Sequence, residues 1–327
     1  MKALVTGGAG YVGSHTVARL LEGGWDVVVY DNLKRGHAAA LRVPLIRGEL
    51  ENTALLGKAF KDNRFDAVFH FAAYALAGES YQNPSMYLRH NVDGALALLD
   101  AMVVNDVPAI IFSSSCAVYG TPKQLPVTET AAKEPESPYG ESKLMVERVL
   151  HWYGQRYKIK STSLRYFNAS GAALDGSIGE DHDPETHLLP NCLRAALGQL
   201  DRVELFGTDY PTRDGTCVRD YVHVVDLAEA HLAALKRLQA GGASAAYNVG
   251  SGKGYSVREV LDTAHGVTGK QFKVDERPRR AGDPAAVFAD PSKIRDELGW
   301  EPHYSDIRTI VESAWRWHSS HPRGFES

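Results

Sequence analysis

Lys2-Ala3-Leu4-Val5-Thr6-Gly7-Gly8-Ala9-Gly10-Tyr11-Val12-Gly13-Ser14-His15 lies at the start of the chain, and its reading decides the fold. Ala3, Leu4 and Val5 make a short apolar run of the kind that becomes a buried strand, and Val17, Leu20 and Leu21 recur at helical spacing beyond the turn. Between them Gly7, Gly10 and Gly13 are spaced Gly-x-x-Gly-x-x-Gly. Glycine lets a backbone turn tightly and come close to a pyrophosphate, and a helix starting there offers unpaired N–H groups to the negative charge. The spacing differs from Gly-x-Gly-x-x-Gly, and such a turn could serve packing alone, so the next strand carries weight. Val27-Val28-Val29-Tyr30 ends on Asp31, whose carboxylate can accept hydrogen bonds from an adenosine ribose and repel a 2′-phosphate. NAD is favoured over NADP, although Lys34 and Arg35 nearby could receive that phosphate and Asp31 could simply cap a turn with Asn32.

Working outward, residues 3–5, 27–30, 67–71, 109–112 and 162–164 are strand-like, with helical patterns between them. Over 84–105, Leu88, Val92, Ala95, Leu96, Leu99 and Val103 recur at three- and four-residue steps, which predicts one core-facing crossover helix. This alternation predicts an α/β fold, a doubly wound parallel sheet of Rossmann type with helices on both faces. Residues 1–170 are expected to form the NAD-binding domain. Beyond about Gly171 the pattern loosens into Gly-, Pro- and Asp-containing loops, with helical pieces near 189–197, 226–238 and 256–265. Residues 171–327 are read as a smaller mixed α/β C-terminal lobe for substrate, with return segments to the first domain near 220–250.

Composition excludes several classes. The 327 residues are 44% hydrophobic and 23% charged, with no repeat or low-complexity tract, as in a soluble globular protein. A net charge of −4 argues against broad nucleic-acid binding, so an anionic ligand must be held by locally placed groups. Cys116, Cys192 and Cys217 are odd in number and lack metal-ligand spacing; reduced thiols in a cytoplasmic protein are expected, and no metal. The glycine turn follows the first residues too closely for a signal peptide, and no apolar run is long enough to span a bilayer.

Tyr139 and Lys143 lie four residues apart in Ser137-Pro138-Tyr139-Gly140-Glu141-Ser142-Lys143, at the start of a helical pattern continued by Leu144, Val146, Val149 and Leu150. They share one face. A tyrosine of pKa near 10 is a poor base at neutral pH, and lowering it by roughly three units needs about 4 kcal/mol of phenolate stabilisation. One ammonium about 4 Å away supplies about 1 kcal/mol in a water-like dielectric and about 4 at an effective dielectric near 20. Exclusion of water and a positive nicotinamide are both expected. Such a pair could be surface decoration, but Ser113-Ser114-Ser115 closes the strand at 109–112, at the carboxyl edge where open α/β sheets bind ligands. Ser115 could pass a proton or hold a substrate oxygen. Cys116, with no His or Asp motif to make it a nucleophile, is read as a small buried residue.

With the glycine turn, the serine run and Tyr-x-x-x-Lys in order, the sequence resembles the extended short-chain dehydrogenase/reductase family. The strings Val5 to Thr16, Arg165-Tyr166-Phe167-Asn168 and Val218-Arg219-Asp220-Tyr221-Val222-His223-Val224 resemble most closely the members that invert C4 of a UDP-hexose, over residues 2 to about 318. The resemblance implies that Ser115, Tyr139 and Lys143 are catalytic. It places Gly7, Gly10, Tyr11, Val12, Gly13, Asp31, Asn32, Glu49, Leu50, Phe71, Ala72, Ala73, Asn91, Tyr139, Lys143 and Phe167 around NAD. It places Ser115, Tyr139, Asn168, His187, Leu188, Leu205, Phe206, Arg219, Arg280, Asp283 and Val287 around a UDP-sugar. Arg219 and Arg280 can fork onto a pyrophosphate, though each could be a surface ion-pair residue. The implied reaction is epimerisation of UDP-galactose and UDP-glucose by transient oxidation to a 4-ketose, rotation and re-reduction, with NAD tightly bound and regenerated each turnover. It further implies a homodimer paired through 84–105 and 139–157.

Three positions depart from the pattern. Tyr74 follows Phe71-Ala72-Ala73 where many members carry Lys, so a cofactor contact is lost. Ala117 replaces a Thr two residues after Ser115, and Val287 replaces a Tyr beside the sugar's 2′-position, which predicts tolerance of UDP-N-acetylhexosamines. A 4,6-dehydratase would need an acid and a base directly after Ser115, where Cys116 and Ala117 stand. A UDP-pentose 4-epimerase or UDP-glucuronate decarboxylase is an alternative, and an NAD-sensing regulator on the same fold is the remaining reading from another class.

Overall fold

In the computed structural model, which describes residues 1–280 and 282–325, the apolar runs of the first half become parallel strands joined by helices. They are β1 (Lys2–Thr6), β2 (Asp26–Asp31), β3 (Leu45–Arg47), β4 (Ala67–His70), β5 (Ala109–Ser113) and β6 (Lys160–Tyr166). The helices between them are α1 (Tyr11–Glu22), α2 (Thr53–Asp62), α3 (Ala77–Gln82), α4 (Pro84–Leu88), α5 (Gly94–Val104) and α6 (Pro138–Tyr157). The second half adds β7 (Asn168–Ser170), α7 (Leu188–Ala196), β8 (Arg202–Phe206), β9 (Val218–His223), α8 (Val224–Gln239) and β10 (Ala245–Val249). It continues with β11 (Gly254–Ser256), α9 (Val257–Thr268), β12 (Lys273–Arg277), β13 (Ala286–Val287), α10 (Ser292–Leu298) and α11 (Ile307–Ser320).

Seven strands form one sheet in the order β10-β6-β5-β4-β1-β2-β3, and every pair in it is parallel. Both faces are covered. Ala3, Val5, Val27 and Val29 point into a core with Val17 and Leu20 of α1 and Leu227 and Ala230 of α8. Leu4, Val28 and Tyr30 point the other way, into a core with Leu56 of α2, Leu98 of α5 and Val146 of α6. Alternate residues thus meet two apolar layers, which is why these strands read as continuous apolar runs. After β1 the chain moves out to β2 and β3, then returns across to β4. The strand order reverses at β1 and β4, and a crevice opens beyond their carboxyl ends, where open α/β sheets hold ligands.

The remaining strands make a smaller assembly. β9 pairs in parallel with β7 and β13 and antiparallel with β11, while β8 and β12 form a separate parallel ribbon. Cys192 and Leu193 of α7, Val260 and Leu261 of α9 and Ile310 and Val311 of α11 share a core above them. Buried Asp220 of β9 fastens the surrounding loops by accepting from the backbone N–H groups of Ser251 (2.8 Å), Gly252 (3.1 Å) and Ala289 (3.0 Å).

One element differs from the periodicity. The segment 84–105 is not a single α-helix: α4 and α5 are joined by a π-helical turn over Arg89–Asp93. The extra residue in that turn faces Asn91 inward. Its amide accepts from Tyr74 N–H (2.9 Å) and donates to Tyr74 C=O (3.0 Å) and Ser142 Oγ (2.9 Å), tying the turn to the loop after β4 and to α6.

Candidate active site

The glycine turn is held by close backbone packing. Gly7 has φ +71°, and a Cβ there would lie 2.4 Å from Ala72 N; a Cβ on Gly13 would lie 2.2 Å from the Gly7 carbonyl. Side chains are barred at both. Gly10 instead meets only the Gly7 carbonyl, at 3.3 Å, so its other side is open to the cleft. Among the described residues no side chain caps α1, leaving the N–H groups of its first turn for a ligand. Asp31 is buried and accepts from Ala9 N–H (3.0 Å) and Leu33 N–H (2.8 Å), which holds its carboxylate in place beside the turn. Gly7, Gly10, Asp31, Asn32, Glu49, Leu50, Phe71, Ala72 and Ala73 line one end of the cleft. Lys34 and Arg35 are engaged by Glu49 (2.8 Å) and Glu79 (2.9 Å).

The same cleft runs on past Gly7, Gly10, Phe71 and Ala73 to Tyr11, Val12, Gly13, Ser115, Tyr139, Phe167, Asn168, His187 and Leu188. Ser137 starts α6 by accepting from Gly140 N–H (3.1 Å), with Pro138 in the first turn. This aims Tyr139 and Lys143 at the end of β5. Lys143 is buried and donates to the Ser113 carbonyl (2.8 Å), with Nζ 5.8 Å from the Tyr139 ring centroid. Burial lowers its pKa to about 7. Burial, and then Tyr166, push the Tyr139 phenol well above the ordinary tyrosine range, while the Ser115 hydroxyl pulls the other way. Ser115 caps the short turn Cys116–Tyr119 by accepting from Ala117 N–H (3.1 Å). That turn brings Cys116 to the cleft wall, where the residue is half-buried with its thiol withdrawn from solvent, so its reading as a small buried residue holds only in part. Burial of its thiol raises the pKa to about 12, so it is neutral.

A buried ion pair supports this corner from behind. Arg165 of β6 donates Nε to Glu147 Oε1 (2.9 Å) and Nη2 to Oε2 (2.5 Å), and Ser114 Oγ donates to the same carboxylate (2.7 Å). The bidentate fork fixes α6 against β5 and β6.

The other candidates fall into separate groups. Asn91 lies behind the cleft wall on Tyr74. Arg219 bonds the carbonyls of Val218 (2.9 Å) and Pro284 (2.8 Å) and meets Asp283 at 3.4 Å. Exposed Arg280 stacks 3.8 Å from the ring centroid of Phe206, which ends β8 next to buried Leu205. Val287 is buried with Val118, Tyr119 and Phe167, and Cys116 packs against that cluster. None of these second-lobe residues lines the cavity holding Tyr139.

Residues 3–250 match the model of the NAD dependent epimerase/dehydratase family. The chain belongs to this family. It is 49% identical to the UDP-glucose 4-epimerase of Lacticaseibacillus casei over 99% of each chain. It is also similar to the crystal structure of UDP-glucose 4-epimerase from Brucella ovis in complex with NAD, at 47% identity and TM-score 0.94 over 96% of this chain and 97% of that one. The Bifidobacterium longum UDP-glucose 4-epimerase in complex with NAD+ and UDP is 38% identical, with TM-score 0.94, over 99% of this chain and all of the other.

For a member of this epimerase/dehydratase family, the residues present suit NAD: an uncapped helix end, an open Gly10 face, and a buried carboxylate at the end of β2. The sequence reading omitted Tyr166, Glu180 and His182, which also line the cleft. Tyr166 is bonded to Ser113 Oγ at 2.8 Å. Its signal was its place in the string Arg165-Tyr166-Phe167-Asn168. For Glu180 and His182 it was the clustering of Glu and His over residues 180–187.

Proposed function

We propose that this chain inverts the C4 hydroxyl of a UDP-hexose, interconverting UDP-galactose and UDP-glucose. The observation that carries this reading is the buried Ser115, Tyr139 and Lys143 group at the carboxyl end of β5, in the cleft that begins at the glycine turn. The names of the similar proteins support it, and one of them binds NAD+ and UDP.

Tyr139 takes the proton of the sugar's 4-hydroxyl and later returns it, and Ser115 hydrogen-bonds the same oxygen. Lys143 would hold the nicotinamide ribose and favour the ionised form of Tyr139. NAD, when bound in the cleft, would supply a reversible acceptor for the C4 hydride and a positive charge. With that acceptor in place, the site would permit oxidation of the sugar to a 4-ketose, its turning about the diphosphate and reduction on the opposite face, with no net consumption of cofactor. Arg219 and Arg280 anchor the diphosphate, and Asn168, His187, Leu188, Leu205, Phe206 and Asp283 complete the site for the nucleotide and sugar. Val287 is smaller than a tyrosine but packs with Val118, Tyr119 and Phe167 outside the cavity that holds Tyr139, so tolerance of an N-acetyl group at the 2′-position rests on the size of this residue alone. A neutral Cys116 thiol and Ala117 provide no acid and base pair for dehydration.

The chain pairs as a homodimer through α4, α5 and α6. Met145 and Trp152, one helical stripe of α6, are exposed at 37% and 69%. Among the described residues no helix is long and apolar enough to cross a membrane, and with three free cysteines a cytoplasmic site of action fits; recovery in a membrane or secreted fraction would contradict it.

The test incubates purified protein with UDP-galactose and no added cofactor, following products by mass and NMR. Formation of UDP-glucose without a dehydrated sugar is the expected result. No conversion, with or without added NAD, overturns the assignment. UDP-N-acetylglucosamine in the same assay checks Val287, and undetectable turnover removes that tolerance. Sedimentation of the sample at micromolar concentration gives the mass of a dimer; a monomer counts against the pairing.

A further inference from the structure

We infer that Glu180, His182, Glu185 and His187 form a four-ligand site for a divalent transition metal of the zinc class in the wall of the cleft. This stands on the side-chain cluster and not on the reaction proposed above. It departs from the sequence reading, which expected no metal because it weighed only the cysteines.

The loop folds back so that two imidazole Nδ1 atoms face two carboxylates. His182 Nδ1 lies 3.2 Å from Glu180 Oε1 and 3.5 Å from Glu185 Oε2. His187 Nδ1 lies 3.1 Å from Glu180 Oε1 and 2.8 Å from Glu185 Oε1. One ligand atom from each residue falls within 4.8 Å of all the others. Zinc bonds of about 2.0–2.1 Å in a tetrahedron put neighbouring ligand atoms about 3.3 Å apart, and the four N···O contacts lie around that value, those at Glu185 through its two different oxygens.

Direct ion pairing accounts for the cluster less well. Each imidazolium has one proton on Nδ1, so four close N···O approaches share two protons. His187 directs its proton to Glu185 Oε1, but His182 Nδ1, although 3.2 Å from Glu180 Oε1, makes no well-directed hydrogen bond among the described residues. Two protonated rings would also sit face to tilted face, with centroids 5.1 Å apart. A dication removes both difficulties. It balances the two carboxylates, whose side chains are only 6% and 3% exposed, and it leaves both imidazoles neutral. Glu185 Oε1 also accepts the His187 backbone N–H at 2.7 Å, and the Tyr11 ring packs edge-on to His182 at 6.1 Å, a supporting shell that orients the ligands. Mixed imidazole and carboxylate donors suit zinc, cobalt or nickel better than magnesium or calcium.

Four protein ligands leave no open position, so the ion is structural. It clamps residues 180–182 to the start of α7 and so fixes the wall that presents His187 and Leu188. With Nδ1 on the metal, the His187 ring keeps only Nε2 for a ligand in the cleft.

The test uses full-length protein with its cofactor in place, stripped with a chelator, desalted and titrated with ZnSO4 in the absence of sugar. Calorimetry should give about one zinc per chain, with a Kd below about 1 µM and a rise in Tm of several degrees. His182→Ala and Glu185→Gln should each weaken binding at least about tenfold. In zinc-soaked crystals the anomalous peak should lie between the four side chains, which decides the matter even if a variant fails to fold. Absence of both binding and a Tm shift at 100-fold excess zinc overturns the site, as does a peak elsewhere or undiminished binding in both variants.

Discussion

Tyr139 and Lys143 share one face of α6, and burial moves them in opposite directions, the phenol upward and the ammonium down to about 7. Each is pushed toward its neutral form, so the protein alone holds a protonated tyrosine. Ionising it requires charge brought by a ligand, and a cofactor with a cationic ring would bring it. Tyr139→Phe removes only the hydroxyl that moves the proton. Its kcat should fall by about 10²–10⁴, with UDP affinity measured by calorimetry within threefold of the parent. Retention of more than a tenth of the activity would assign the proton to another group. The pair was legible because four-residue spacing on a helix fixes which side chains share a face. Arg219, Arg280 and Asp283 were named only through resemblance, since spacing says nothing about which loops approach the sugar.

The π-helical turn between α4 and α5 shows what periodicity cannot resolve at the scale of an element. Apolar steps of three and four run through 84–105 without a break, and one additional residue in a turn shifts the pattern by less than the width of an apolar stripe. What marks the turn is Asn91, a buried amide bonded to Tyr74 N–H (2.9 Å), Tyr74 C=O (3.0 Å) and Ser142 Oγ (2.9 Å). Asn91→Ala would leave the Tyr74 peptide groups unpaired, at a cost of about 2–3 kcal/mol. The variant should also lose NAD during purification, because Tyr74 lines the cleft at the end that holds Asp31 and Glu49. Urea unfolding and the ratio of absorbance at 260 and 280 nm measure the two effects; unchanged values in both would reduce Asn91 to a passive filler. β1, β2, β4 and β5 were legible because two-sided burial leaves uninterrupted apolar runs, whereas β6 showed only its short piece at 162–164 because its buried positions include Ser161, Thr162, Ser163 and Arg165. β3, β8, β12 and β13 were not, being short, partly exposed or at an edge, where polar residues are tolerated.

Across the whole molecule, four neutral histidines are built into the cores: His15 in α1, His70 at the end of β4, His223 at the end of β9 and His231 in α8, each at most 3% exposed. Burial lowers His15 and His231 to about 4 and His70 and His223 to about 3, with the charges of Lys143 on His70 and His15 on His223 adding to the effect. The folded pKa lies below the unfolded value near 6.5, so between these limits the unfolded chain binds more protons. The stability is therefore fully present above pH 6.5 and is lost as pH falls toward 3–4. At pH 5 the loss is roughly 2 kcal/mol for each histidine, and four together rival the whole stability of a typical domain. His231 isolates one share of it. Its ring packs 4.7 Å from Phe71 and its Nε2 has no hydrogen-bond partner among the described residues, so His231→Phe keeps the stacking and removes the titration. Urea unfolding at pH 7.5 and 5.0 should show the variant losing about 2 kcal/mol less than the parent over that interval. Parallel losses in the two proteins would mean that His231 takes up its proton equally in the folded and unfolded chains, and acid sensitivity would then have to arise among the other buried groups.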